Sequence, residues 1–284
     1  MNYKVITCKT NKEFIELFKD YLSKYKIEMQ LYFLNLTNSE MALDNNSVRG
    51  GVFKDENPSL IFLNAFPYNL QIRSLDNDIT SFDKLAEYII ANNIDIRGIQ
   101  GNLNDVKEFI NSYNLIHNAV FRYVHAMDIM RLDELKEIDS SSITGTIIRP
   151  TLDNFDIVKD YINKMYTEAL EESYDDEIIE ARARSFINDG YTYLFKSNDN
   201  ITSIVRFYPT PKGCMRISLV FTDKKYRGNG YAKKMLYLLI NELKKEYECF
   251  TLFVDKKNPI SNKLYKNLGF YVVEDNIDTR LISK

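Results

Sequence analysis

The chain of 284 residues has no tryptophan, three cysteines, two histidines and no long apolar run. Because the few cysteines and histidines do not stand at the spacing of metal ligands, we expect no metal site. Without about 18 consecutive apolar residues, no membrane-spanning helix is expected. The net charge of -3 offers no basic surface, which argues against nucleic acid as a partner. A hydrophobic content of 45% with 27% charged residues is typical of a globular protein.

The cysteines and the N-terminus bear on the cellular compartment. The odd number of cysteines argues against a disulfide framework, and Cys214 and Cys249 are expected to be small apolar fillers at the starts of core strands. The first residues, Met1 to Lys4, contain no apolar signal segment. Together these features predict a cytoplasmic protein with free thiols.

A glycine-bearing turn from Arg227 to Ala232 is the most informative motif. It follows the strand-like run Met215 to Thr222, and it opens a helix-like run from near Gly230 to about Lys245. Glycines let backbone N–H groups approach an anion closely, and a helix N-terminus adds unpaired donors and the positive end of its dipole. This arrangement predicts a phosphate-binding turn.

Two common phosphate-binding fingerprints are excluded by the residues that follow. A dinucleotide fingerprint requires glycine where Lys233 stands. A nucleoside-triphosphate loop also requires glycine there, and serine or threonine where Met235 stands. The pattern that remains is Arg-x-x-Gly-x-Ala. A plain turn before a surface helix is also compatible with the glycine pair taken alone.

The downstream segment continues the alternation of strands and helices. Phe250 to Val254 is short, apolar and rich in β-branched and aromatic residues, which favours a buried strand. Asn258 is suited to cap a helix that begins at Pro259. Gly269 is suited to end that helix, and the residues after it return to an extended pattern.

With both motifs in place, the block from Arg216 to Val273 resembles the GNAT superfamily of acyl-CoA-dependent N-acyltransferases. The first matching motif is the turn Arg227 to Ala232. The second is Asn258 to Phe270, with an asparagine, a small residue three positions later, a tyrosine seven positions later and then Gly-Phe. The two motifs occur in the family's order and on the expected elements.

The resemblance implies roles for individual residues. Tyr265 would stand near the thioester sulfur as the acid for the leaving group, and Asn258 would bind the CoA arm. A tyrosine of ordinary pKa protonates a thiolate uphill by roughly 2 kcal/mol, so Tyr265 needs a lowered pKa or acts only as a hydrogen-bond donor. The backbone of Leu219, Val220 and Phe221 would lie along the cofactor. The turn residues that would hold the CoA pyrophosphate are Arg227, Gly228, Asn229, Gly230, Tyr231 and Ala232.

The order of elements predicts two domains, 1–140 and 141–284, separated by the charged and serine-rich stretch Asp133 to Ser142. The second half reads as a strand, a long helix over Leu152 to Glu172, a second helix and a three-stranded meander before the turn. The first half shows a similar order without the motif, and an amphipathic helix is predicted there over Asn11 to Lys26. The predicted fold class is therefore α/β (α+β), with tandem GNAT-like domains that each have a mixed, mostly antiparallel sheet flanked by helices.

The resemblance implies an N-acetyltransferase that moves an acetyl group from acetyl-CoA directly to a primary amine of a small molecule or peptide. Two alternatives stay open: a non-catalytic sensor of acyl-CoA, and an aminoacyl transferase built on paired GNAT-like domains. Glu168, Glu171 and Glu172 are candidates for the base, although each is also compatible with a solvated charged face. The acceptor amine and the oligomeric state cannot be read from the sequence.

Overall fold

A computed structural model describes residues 1–37, 47–65, 68–170, 173–210 and 213–283. The chain packs into two compact units that are not continuous in sequence. Unit 1 consists of Met1–Ile129, Val254–Asn258 and Val272–Lys284, and unit 2 consists of Met130–Phe253 and Pro259–Tyr271. The domain boundary predicted near residue 140 stays a prediction.

Strands and helices alternate along the described chain. The strands are β1 Tyr3–Thr7, β2 Val48–Lys54, β3 Asn57–Asn64, β4 Leu70–Ser74, β5 Ile99–Gly101, β6 Val120–Leu132, β7 Thr146–Ile148, β8 Thr192–Ser197, β9 Asn200–Thr210, β10 Cys214–Thr222, β11 Cys249–Asp255 and β12 Tyr271–Ser283. The α-helices are α1 Asn11–Leu17, α2 Lys19–Lys24, α3 Gln30–Thr37, α4 Ile79–Ala91, α5 Leu103–Ile116, α6 Phe155–Met165, α7 Asp176–Asn188, α8 Tyr231–Leu243 and α9 Pro259–Leu268. In the described ranges, no helix combines the length and apolar character needed to cross a membrane.

The sheet of unit 1 has the strand order β1-β2-β3-β4-β5-β12-β6. The first four strands are antiparallel neighbours. β4 and β5 are parallel, with Leu70 opposite Ile99, and β12 pairs with β5 in the antiparallel direction, with Ile277 opposite Gly101. The last strand of the chain therefore completes the sheet that the first half begins.

Helices cover both faces of this sheet because β3 alternates its side chains between two apolar clusters. Leu60 and Phe62 pack in a cluster that contains residues of α4 and α5. Ile61 and Leu63 pack in a second cluster, with residues of α1, α2 and α3. This alternation is the period-two pattern of a strand that is buried on both faces.

Thr279 shows how firmly β12 belongs to unit 1. Its side chain is fully buried, accepts a hydrogen bond from the Ile99 N–H at 2.9 Å and donates one to the Ile99 carbonyl at 3.1 Å. Nearby, Arg73 of β4 and Glu274 of β12 form an ion pair at 2.6 Å. The sequence predicted an extended run only as far as Val273, because nothing local marks the last ten residues as a strand partner of β5.

The sheet of unit 2 repeats the same succession of strand directions. β7, β8, β9 and β10 are antiparallel neighbours, and β10 and β11 are parallel. Helices α6 and α7 pack on one face, in a cluster that includes Val158 and Ile179. The prediction that each half forms a mixed, mostly antiparallel sheet flanked by helices is confirmed.

Two predicted helices are shorter than expected, and one strand was missed. The amphipathic stretch predicted as one helix from Asn11 is interrupted at Phe18, which ends α1 and precedes α2. The long helix predicted from Leu152 ends its α-helical part at Met165 and continues as a π-helical segment, Tyr166–Leu170. No pattern in the sequence marked β1, since five residues of mixed polarity carry little periodicity.

Cys214 and Cys249 form a disulfide bond, so the prediction that they are unpaired apolar fillers is wrong. The two residues are 35 positions apart in sequence, and only the parallel register of β10 and β11 places them opposite each other. Cys8 is a free thiol. Disulfides are rare in a reducing cytoplasm, so this bond removes one support for that compartment, which stays a prediction.

Asp105 is a buried carboxyl in the first turn of α5, with 2% of its surface exposed. It accepts hydrogen bonds from the Ser74 N–H at 2.9 Å and from Asn102 Nδ2 at 3.0 Å. Burial raises the pKa of Asp105 from 3.8 to about 6, although these bonds act in the opposite direction. Folding therefore favours the protonated form, so stability is fully present below pH 3.8 and is lost as the pH rises to about 6.

We expect Asp105→Asn to stabilise unit 1 at alkaline pH and to do little in acid. A shift of this size corresponds to a gain of about 3 kcal/mol in the free energy of unfolding at pH 8, and of less than about 1 kcal/mol at pH 4. Urea unfolding at both pH values measures this difference. Asp20→Asn, at an exposed carboxyl of α2, is the matched control. A gain that does not depend on pH would contradict the assignment.

Candidate functional site

The N-terminus of α8 presents backbone donors that no side chain of the described residues caps. The helix begins at Tyr231, and Gly230 occupies the capping position with a left-handed backbone, φ +76°, and without a side-chain cap. The first backbone hydrogen bond of the helix is donated by the Lys234 N–H to the carbonyl of the capping residue Gly230 at 3.0 Å. The N–H groups of residues 231–233 therefore point out of the helix end, which is the arrangement that binds anions.

The two glycines of the turn have different surroundings. A Cβ placed on Gly230 would lie 2.8 Å from the Cδ1 atom of Ile143, so this glycine is packed against its own unit. A Cβ placed on Gly228, whose φ is +84°, would meet no atom within 4 Å. Gly228 therefore faces open space, and Gly230 lets the backbone turn close to the protein.

The side chains of Asn229 and Tyr231 shape the turn. Asn229 Nδ2 donates to the carbonyl of Tyr226 at 3.0 Å, and the ring of Tyr231 packs against Phe195 with 5.7 Å between ring centroids. Both side chains are thus engaged by the protein itself. What these two residues, and Ala232 after them, offer an anion is the backbone N–H.

A cluster of cations surrounds the turn, and Arg227 is the one among them that the sequence predicted to contact phosphate. The stretch from residue 224 to residue 234 contains no acidic residue and five basic ones: Lys224, Lys225, Arg227, Lys233 and Lys234. A charge count along the motif would have revealed them. Their combined field favours a ligand with several negative charges.

Arg227 and Glu168 form an ion pair, with Arg227 Nη2 2.6 Å from Glu168 Oε2. Arg227 Nε also donates to the Thr222 carbonyl at 2.8 Å, and Lys224 lies 3.7 Å from Glu168. Glu168, a candidate base from the sequence, is thus committed as a counter-ion of the turn. The other two candidates, Glu171 and Glu172, lie outside the described residues.

Strand β10 separates from β11 just before the turn. The parallel register joins Cys214–Ile217 to Cys249–Leu252, whereas β10 remains paired with β9 as far as Thr222. A register shift between Ile217 and Leu219 marks the point of separation. Beyond it, alternate backbone groups of β10 point toward the gap rather than toward β9.

The three strand residues predicted along the cofactor lie in this separated part of β10. Leu219, Val220 and Phe221 are opposite residues 206, 205 and 204 of β9, respectively. The side chains of Leu219 and Phe221 are buried in the cluster with α6 and α7. For these two residues, backbone atoms are what the open edge offers a ligand, and the predicted role of all three residues along the cofactor stays a prediction.

Tyr265 lies in α9 and is 7% exposed, with its ring packed against Phe270 at 5.8 Å. Within the described chain its hydroxyl has no hydrogen-bond partner. Burial raises the pKa of Tyr265 well above 10, whereas complete proton transfer required a lowered pKa. The lowered-pKa alternative is therefore wrong, and Tyr265 is a protonated hydroxyl that is able to donate a hydrogen bond.

Asn258 immediately precedes α9, and its N–H donates to the Asp255 carbonyl at 3.0 Å. The residue belongs to unit 1, whereas α9 belongs to unit 2. Its predicted hydrogen bond to the CoA arm stays a prediction.

The corresponding helix of unit 1, α4, is closed to anions. Its capping residue is Asp78, whose carboxylate accepts the Thr80 N–H at 3.1 Å. The same carboxylate accepts hydrogen bonds from Lys54 and Tyr3, each at 2.6 Å, and these bonds lower the pKa of Asp78. A negative charge already fills the helix end, so the first half lacks both the motif and an open helix N-terminus.

Residues 155–270, which include the turn and Tyr265, match the family model described as Acetyltransferase (GNAT) family. These residues form a GNAT-family domain. A curated UPF0039 protein of Schizosaccharomyces pombe is 27% identical over 86 residues, which is 30% of this chain and 57% of that relative's length. The chain thus spans little more than half of the relative it matches.

Solved GNAT structures share the fold over nearly the whole chain. A GCN5-related N-acetyltransferase from Sphaerobacter thermophilus has a TM-score of 0.63 at 13% identity, covering 98% of this chain and 95% of its own. A GNAT-family acetyltransferase from Colwellia psychrerythraea has a TM-score of 0.57 at 11% identity, with complete coverage of both chains. A tandem GNAT protein from the clavulanic acid pathway has a TM-score of 0.55 at 9% identity, covering 100% of this chain and 99% of its own. The predicted tandem GNAT-like fold is confirmed.

We expect Gly228→Ala to weaken CoA binding without loss of fold. The new methyl group meets no protein atom, but it enters the open space where an anion would approach the turn. The left-handed backbone costs about 1–2 kcal/mol of stability, and we expect CoA affinity to fall roughly tenfold or more. Calorimetric titration of CoA, with thermal unfolding in parallel, measures both effects.

Gly190→Ala is the matched control for this substitution. Gly190 has nearly the same backbone conformation, φ +75°, and a Cβ there also meets no atom within 4 Å. This variant should lose similar stability and keep its CoA affinity. Equal CoA affinity in the two variants would remove Gly228 from the site.

Proposed function

We propose that unit 2 is an acetyltransferase that moves an acetyl group from acetyl-CoA directly to a primary amine. The observation that carries the proposal is the uncapped N-terminus of α8, with open space at Gly228 and a cluster of cations around it. GNAT membership and fold support acyl transfer in general. The acetyl group, the amine and the direct route are the parts proposed here.

The chemistry of the turn fits the diphosphate of CoA. The backbone N–H groups of residues 231–233 and the positive end of the helix dipole act together on the compact, multiply charged diphosphate. Arg227 is ion-paired with Glu168, and nearby Lys225 and Lys233 supply further positive charge. An uncharged sugar or an apolar ligand has no comparable charge to match.

The separated strand suits the other end of the cofactor. In the reaction an N–C bond forms, the C–S bond of the thioester breaks, the amine loses a proton and the thiol gains one. Negative charge that develops on the carbonyl oxygen requires fixed donors, and alternate N–H groups of residues 219–221 lie on the open edge of β10. Rigid strand amides need no reorganisation when the charge appears.

Tyr265 would act as a hydrogen-bond donor to the departing sulfur. Its burial keeps the hydroxyl protonated at neutral pH. Because full transfer of the proton from such a phenol is uphill, the hydrogen bond stabilises the developing thiolate, and the proton comes from elsewhere.

The amine must lose a proton before it attacks. At pH 7, the neutral form of a lysine-like amine lies roughly 4–5 kcal/mol above the ammonium. Glu168 already forms ion pairs with Arg227 and Lys224, so we do not propose it as the base that accepts the proton of the amine.

Two other functions use the same features differently. A sensor of acyl-CoA would need the turn but not the Tyr265 hydroxyl, and the packing of that ring against Phe270 agrees with a structural role. An aminoacyl transferase on paired domains would not need CoA at the turn. A small-molecule or peptide amine as partner, and a cytoplasmic setting, belong to the proposal as well.

Tyr265→Phe separates the enzyme from the sensor. We expect kcat for acetyl transfer to fall on the order of 10²-fold, while the Kd for CoA changes less than about twofold. The measurement is release of free thiol from acetyl-CoA with a panel of primary amines, together with CoA titration.

Tyr237→Phe is the control, since this tyrosine of α8 donates its hydroxyl to Glu137 at 2.5 Å and lies at the surface. It should keep full turnover. Transfer to no amine by the wild-type protein would favour the sensor, and tight aminoacyl-tRNA binding without CoA binding would favour the aminoacyl transferase.

A further inference from the structure

Arg216 of β10 carries a positive charge that the described part of the chain leaves unpaired. Its Nε atom is buried and has no hydrogen-bond partner, and its guanidinium makes no ion pair with another described residue. Burial and then the charge of Arg206 lower its pKa to about 10, so it remains a cation at neutral pH. A partly buried cation without a partner is costly in a folded protein.

The neighbouring side chains hold Arg216 in place without neutralising it. Its guanidinium lies over the ring of Phe253 at 4.7 Å from the centroid. Arg206, whose charge acts on Arg216, is already paired with Asp189 through Nη2 at 2.5 Å and Nε at 3.1 Å. Of these two arginines, Arg216 is therefore the one that has no carboxylate partner among the described residues.

Arg216 also lies close to the point where β10 opens. It is opposite Tyr208 of β9, and the register shift begins one residue later, at Ile217. At about 3.3 Å per residue, Arg216 is within roughly 10 Å of Leu219, along the strand that would carry the reacting end of the donor. Ser218, between them, is exposed, so this part of the strand is reachable from solvent.

A guanidinium is matched by a carboxylate, since two parallel N–H groups donate hydrogen bonds to both carboxylate oxygens at once. We propose that the amine acceptor of unit 2 carries a carboxylate, as an amino acid or short peptide does, and that Arg216 binds it. The inference rests on the proposed acetyl transfer. It narrows the acceptor from any primary amine to one with an anionic group a few bonds from the nitrogen.

Matched pairs of amines test this directly in the thiol-release assay. L-alanine is compared with L-alaninamide, and glycylglycine with glycylglycinamide. For the wild-type protein we expect kcat/KM to be at least roughly tenfold higher for the carboxylates. In Arg216→Met that preference should disappear through loss of carboxylate activity, while amide activity and CoA affinity stay unchanged.

Two further variants keep the result interpretable. Arg184→Met is the control, since Arg184 is another arginine of unit 2 that lies over an aromatic ring, Phe155 at 4.5 Å, but is exposed. The Arg184→Met protein should prefer carboxylates over amides as strongly as the wild-type protein does. Arg216→Lys keeps the charge and should retain part of the preference, even where Arg216→Met folds poorly. Equal loss for carboxylates and amides in Arg216→Met, or a change in CoA affinity, would overturn the inference.

A binding measurement makes the test independent of turnover. The affinities of N-acetyl-L-alanine and of its amide for the wild-type protein are compared by calorimetry in the presence of CoA. Tighter binding of the carboxylate supports the inference, and equal binding overturns it. Acetylation of amines without any carboxylate preference would leave the proposed function standing and remove this inference alone, whereas no acetylation of any amine would remove the proposed function itself.

Discussion

The proposed function depends on one feature, the backbone amides at the start of α8, which have no hydrogen-bond partner among the described residues. A left-handed glycine in the capping position replaces the side chain that usually satisfies them. In α4, the corresponding helix of unit 1, the Asp78 carboxylate satisfies these donors and holds two further groups. One residue type at one position thus separates an open helix end from a closed one, in two units with the same succession of strand directions.

The separation of β10 from β11 resembles the open helix end, because it leaves backbone N–H and C=O groups along the strand edge that a ligand can bind. Parallel pairing stops after Ile217, while pairing to β9 continues, and the disulfide between Cys214 and Cys249 joins the paired ends. Because the disulfide holds the first residues of β10 and β11 together, the two strands separate only toward their C-terminal ends. The proposed donor and the carboxylate proposed for the acceptor both act along this one strand, with Arg216 and Leu219 three positions apart.

Local patterns in the sequence predicted the turn, the helix after it, the central strands and the family, since each depends on neighbours within a few residues. Features that depend on distant pairing were missed. Thr279 and the rest of β12 are recognisable only once β5 is in place, and the disulfide only once the parallel register is known. The ion pair of Glu168 with Arg227 and the raised pKa of Tyr265 likewise follow from packing, which no spacing rule records.

The most direct test of the account compares the affinities of CoA and of pantetheine, which has the same thiol arm but no diphosphate, by calorimetric titration. If the amides of α8 and the surrounding cations hold the diphosphate, CoA should bind roughly 100-fold or more tightly than pantetheine, and its advantage should shrink as salt is added. Equal affinities, or an advantage that salt does not change, would contradict the central claim.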